Sequence, residues 1–77
     1  MKKMYYYIKF KKPTSSKLLL FRRNSKVVVF GKDSPAKTAK KELEEKGMLG
    51  VKILHCNHSP ATRECQLFGR KYEKVGW

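Results

Sequence analysis

Cys56, His58 and Cys65 are the side chains best equipped for chemistry, and every cysteine and histidine of the chain falls between His55 and Cys65. In a hairpin with Ser59-Pro60-Ala61-Thr62 at its turn, Cys56 lies across from Cys65 and His58 shares the face of Cys56. Three metal donors then converge, but zinc needs a fourth ligand or a water, and strand alternation turns His55 to the other face. The spacing Cys-x-His with a later Cys fits no zinc module. Facing cysteines form a disulfide under an oxidant, whereas two packed free thiols are the plainer expectation. A Cys–His pair also supplies a nucleophile and a base, yet no third orienting group or oxyanion site accompanies it. Glu42, Glu44 and Glu45 sit in a lysine-rich helical segment and read as its solvated side. The glycines are isolated turn or cap residues rather than a phosphate loop. The expectation is a protein without catalytic residues, metal or cofactor.

Charge is the stronger signal. Residues 1–32 hold ten Lys or Arg and no Asp or Glu, against a net formal charge of +13 for the 77 residues. Such an excess repels itself and contributes nothing to folding, which suits a surface that meets a polyanion or an acidic protein. The length allows one domain, residues 1–77, with a small core and no deep substrate cavity. No apolar run is long enough to span a bilayer, and MKKMYYYIKFKKP lacks the apolar stretch and small-residue cleavage site of a signal peptide. A soluble cytoplasmic protein without membrane contact is the resulting expectation.

The elements that position these charges are legible in outline. From Met4 to Lys11 the residues alternate, with Met4, Tyr6, Ile8 and Phe10 facing a core and Tyr5, Tyr7, Lys9 and Lys11 opposite. Pro13-Thr14-Ser15-Ser16 turns the chain into an apolar run, Leu18–Phe21, followed by another, Val27–Phe30. A two-residue turn at Asn24-Ser25 sets Arg23 opposite Lys26, Phe21 opposite Val28 and Leu19 opposite Phe30. Leu19, Phe21, Val28 and Phe30 then form one apolar face, while Leu18, Leu20, Val27 and Val29 form another. A small sheet usually buries one side. Either the rest of the chain covers both faces, or one face is an interface, a homodimer included.

Asp33 or Ser34 caps a helix whose first turn holds Pro35 and whose end is Gly47. Ala36, Ala39 and Leu43 make its narrow apolar stripe. Lys37, Lys40 and Lys41 cluster near its start, where the helix dipole disfavours positive charge, and so suggest an external anion. Val51–Cys56 reads as a strand, His58–Arg63 as a turn and Glu64–Phe68 as its return. Gly69–Trp77 either extends that strand or trails off.

Two resemblances reach these residues. Three strands followed by Ser34-Pro35-Ala36-Lys37-Thr38-Ala39-Lys40-Lys41 resemble the second half of a double-stranded-RNA-binding domain, which implies lysines gripping phosphates at the helix start. That family's first helix has no counterpart here. The layout Arg23-Asn24-Ser25, strand, helix, then Gly47-Met48-Leu49-Gly50-Val51-Lys52-Ile53 is similar to the small basic capping linkers of phycobilisomes, which implies docking on an acidic protein.

The sequence thus predicts an α+β domain, a small antiparallel sheet packed on one helix, with about three N-terminal strands and a C-terminal strand or hairpin. Its expected role is non-enzymatic binding of RNA or DNA through Tyr5, Tyr7, Lys9, Arg22, Arg23, Lys26, Lys37, Lys40 and Lys41. Aromatic rings would stack on bases and cations would neutralise phosphates. The competing expectation is a linker or phage-type inhibitor that docks on an acidic protein through a basic and apolar sheet face.

Overall fold

The computed structural model describes residues 4–77. Its strands are β1 (Tyr5–Lys11), β2 (Leu18–Leu20), β3 (Arg22–Arg23), β4 (Lys26–Phe30), β5 (Leu49–Cys56) and β6 (Tyr72–Val75), with one helix, α1 (Asp33–Glu45), between β4 and β5. The α+β class and the sheet-on-helix arrangement are as predicted. No helix among the described residues is long and apolar enough to cross a membrane.

All pairings are antiparallel except β4 with β6, which run parallel. β1 is central: β5 lies along one edge, while β2 and the end of β4 share the other. β2 pairs with β1 and β3 with β4, so residues 18–23 form a wedge that turns at Phe21. The Phe21 amide donates to the Ile8 carbonyl at 2.9 Å, and the Phe21 carbonyl accepts from the Val28 amide at 3.0 Å, so the corner leaves neither backbone group idle.

The Asn24-Ser25 turn has positive φ at both residues, 53° and 64°, the geometry that matches strand twist in a two-residue hairpin. It sets Arg22 opposite Val27 and Arg23 opposite Lys26. Leu19 departs from expectation, since the wedge pairs it with Phe10 of β1 rather than with Phe30.

Alternation along β1 and β4 divides the core between the two faces of the sheet. On one face Ile8, Phe10, Val28 and Phe30 bury against Ala36, Ala39 and Leu43 of α1, flanked by Leu19, Phe21 and Ile53. The helix ends in a glycine-capped turn: the Gly47 amide donates to Glu44 and the Met48 amide to Leu43, with Gly47 at φ 88°. Its start differs from the prediction. Lys32 occupies the cap position with no side-chain cap bond, and Asp33 lies inside the first turn, 3.5 Å from Lys37. Asp33 therefore acts on the helix dipole from N1 rather than as the cap.

On the second face Tyr7, Val27 and Val29 bury against Cys65 and Leu67. The predicted Glu64–Phe68 return strand is absent. Residues 57–71 instead run over the sheet as successive turns, with Thr62 bonded to Ser59, Cys65 to Thr62, Phe68 to Cys65 and Arg70 to Leu67. Each turn closes one backbone hydrogen bond of its own, and the segment turns side chains onto the sheet rather than pairing as a strand. Pro60 and Leu67 are among the most completely buried residues. Both sheet faces are thus covered by the chain itself, the first of the two alternatives posed by the sequence. The strand of the C-terminal region is β6, which pairs with β4 instead of extending a hairpin from β5.

Trp77 closes the lower end of this second face. Its indole donates to the Val29 carbonyl at 2.9 Å and its ring packs 4.8 Å from that of Tyr5 and 6.0 Å from that of Tyr72. The packing requires a bare backbone at Gly31, where a Cβ would lie 2.9 Å from Trp77 Cδ1 and 3.0 Å from the Gly76 carbonyl oxygen. Gly31→Ala is therefore expected to expel the indole. Trp77 is the chain's one tryptophan, so the check is a red-shifted emission together with a Tm lower by about 5–15 °C, the scale of an overpacked site in a small domain.

Candidate functional site

The sheet places the predicted cations on different sides. Directly paired residues share a face, so Lys9 lies in one row with Leu20 on β2 and Lys52 on β5. Lys11 forms the next row with Leu18. By alternation these residues sit on the side of Tyr7, which is the side covered by residues 57–71. Arg22, paired with buried Val27, points the same way. Arg23 and Lys26 are one residue out of phase, toward the helix side of the hairpin tip.

Between the wedge and the cover is a groove of about 380 Å³ lined by Tyr7, Lys9, Leu18, Leu19, Leu20, Arg22, Gln66, Leu67 and Arg70. Three cations and no carboxylate line it. Its apolar wall is the β2 leucines with Leu67, and its polar floor is the Tyr7 hydroxyl, which donates to Gln66 Oε1 at 2.9 Å. Burial and the neighbouring thiols push the Tyr7 phenol above its ordinary pKa, so it remains a neutral donor. Lys9 and Lys52 stand directly opposite each other, a like-charge pairing that costs stability unless an anion joins them.

Acidic groups are concentrated elsewhere. Four of the six, Asp33, Glu42, Glu44 and Glu45, belong to α1. The helix lies on the other side of the sheet, so Lys37, Lys40 and Lys41 are separated from the groove and interspersed with carboxylates. Lys37 itself pairs with Asp33. An intramolecular anion thus answers part of the charge that the sequence had assigned to an external one.

The predicted stacking surface requires correction as well. Tyr7 is 4% exposed, sealed under the 57–71 cover, and cannot stack on a base. Tyr5 is half-buried with its ring against Trp77. Of the nine predicted contact residues, Lys9 and Arg22 are brought together at the groove, with the Tyr7 hydroxyl at its floor. Sequence reading missed Arg70, Gln66 and the exposed Leu18. For Leu18 a signal existed, since it fell on the second apolar face with nothing assigned to cover it.

The Cys–His window also folds differently. Cys56 at the end of β5 packs against the buried cluster that contains Cys65, so the two thiols share the second face of the sheet. His58 is exposed, and it is its backbone amide that reaches Cys56 Sγ, at 3.4 Å. Among the described residues no group of three or more Cys, His, Asp or Glu side chains is arranged to hold a metal ion. Cys56, His58 and Cys65 therefore make a pair and a bystander rather than a triad of ligands. Burial is the main cause that raises the Cys65 thiol pKa.

Comparison with protein-family models, with curated proteins and with solved structures gave no match, so the functional reading rests on this geometry.

Proposed function

We propose that this chain is a non-enzymatic binding module that takes the phosphate backbone of a nucleic acid into the groove between the β2–β3 wedge and the 57–71 cover. The observation that carries this reading is the convergence of Lys9, Arg22 and Arg70 on one groove free of carboxylates. Phosphate neutralisation releases counterions, and that release is the driving force available to such a site. With Tyr5 and Tyr7 engaged inside the protein, recognition rests on cations and on the Gln66 amide rather than on stacked rings. Contacts of this kind set position on a backbone and carry little base information.

A second reading is favoured by one specific feature. Leu18 and Leu49 are more than half exposed, at 56% and 55%, and both pair with Lys11 across neighbouring strands. Leucines beside lysines suit an acidic protein segment that also carries apolar side chains. Salt separates the two readings. Titration of labelled duplex RNA, duplex DNA and single strands should give binding whose log–log salt slope is about −2 to −3, as expected for three phosphate contacts. Weak binding to every polymer at physiological salt would overturn the nucleic-acid reading and leave the acidic-protein one.

A further inference from the structure

Cys56 and Cys65 do not line the groove. They come from segments with different roles, β5 and the turn-built cover, and meet on the second face of the sheet. Their accessibility is unequal: Cys65 is buried, whereas Cys56 is partly exposed and receives the His58 amide at its sulfur. One sulfur is thus placed to meet a solute and the other to react only within the chain.

We propose that Cys56 and Cys65 form a reversible thiol–disulfide exchange site for a low-molecular-weight disulfide such as oxidised glutathione, closing a bridge that ties the 57–71 cover to β5. In the first step Cys56, as thiolate, attacks one sulfur of the glutathione disulfide. The Cys56–glutathione bond forms, the glutathione S–S bond breaks, and one glutathione thiolate leaves and takes up the proton released by Cys56. In the second step Cys65 loses its proton and attacks Cys56 Sγ, and the second glutathione leaves as thiol. The two protein thiols are oxidised by two electrons and the glutathione disulfide is reduced by two. Excess reduced glutathione runs the sequence backwards.

The unequal burial dictates the order. Cys65 is buried away from solutes, and that burial also raises its thiol pKa above the ordinary value, which makes it a poor first nucleophile. Once Cys56 carries glutathione, proximity favours attack by Cys65 over release back to solution. The bridge would pin the part of the cover immediately preceding Gln66 and Leu67, but the inference stands independently of what the groove binds.

The test incubates the folded wild-type protein with oxidised glutathione and follows intact mass and non-reducing peptide maps. The expected product is a monomer lighter by two hydrogens, with Cys56 and Cys65 in one cross-linked peptide pair, fully reversed by reduced glutathione. Folded Cys65→Ser should stop at the first step, gaining one glutathione on Cys56, while Cys56→Ser should stay unmodified. A stable glutathione adduct on the wild type, a disulfide-linked dimer, or thiols that react only after denaturation would each overturn the proposal. The wild-type map alone decides the matter if either serine variant fails to fold.

Discussion

Reversing Arg22 and Arg70 together, in an Arg22→Glu/Arg70→Glu protein, should weaken nucleic-acid binding by about 100-fold or more at physiological salt while leaving Tm within a few degrees of wild type. Both arginines are exposed at the rim of the groove, so neither supports the core. Each reversal removes a phosphate contact and adds a repulsive charge beside the same backbone, and the salt slope should fall by about 2. The informative control is Arg23→Glu/Lys26→Glu, with the same change in net charge. Those residues occupy the hairpin tip on the helix side. They do not line the groove, so they make no phosphate contact there, and with salt weakening what remains of their field a loss of only a few-fold is expected. Anisotropy titrations of the two variants side by side distinguish a located site from a general response to charge. Equal losses would dismiss the groove as the site.

That control has force because adjacent arginines are not equivalent. The local signals for their separation were present in the sequence: Asn24-Ser25 specifies a two-residue turn, and period-two alternation then assigns Arg22 and Arg23 to opposite faces. Lys9 was legible for the same reason, through the alternation of β1. The helix stripe of Ala36, Ala39 and Leu43 and its Gly47 end were equally local features. What resisted sequence reading was long-range. Residues 57–71 bury Pro60, Cys65 and Leu67 at intervals that match neither a strand nor a helix, so periodicity has nothing to detect. β6 is only Tyr72–Val75, and its parallel pairing with β4 is separated from it by α1, β5 and the entire cover. Arg70 reaches the groove only because of that path. The tyrosines failed for a different reason: alternation reports which side of β1 a ring is on, whereas its exposure depends on what is laid over it.

The cover gives the largest stability prediction. Leu67 is 2% exposed and plugs the second face beneath residues 57–71, in contact with the cluster of Tyr7, Val27 and Val29. Leu67→Ala removes this side chain from a segment held by turns, with few other apolar anchors. The expected cost is about 2–5 kcal/mol from lost burial and the cavity left behind. A chain of this size has only about 4–12 kcal/mol in total, so the Tm should fall by about 10 °C or more. Leu18→Ala is the matching case outside the core: at 56% exposure it should hardly change Tm, and any effect should appear in binding instead. Thermal melts of the two variants test whether the cover is a structural layer. If Leu67→Ala melted like wild type, residues 57–71 would contribute little to burying Val27 and Val29, and that apolar face would require another covering surface. A second copy of the chain would then be the first candidate, and sedimentation of the variant across concentrations would reveal it. The pronounced difference expected between the two leucines follows from a division of labour on the same side of the sheet: Leu67 seals the sheet, and Leu18 borders the groove that the seal leaves open.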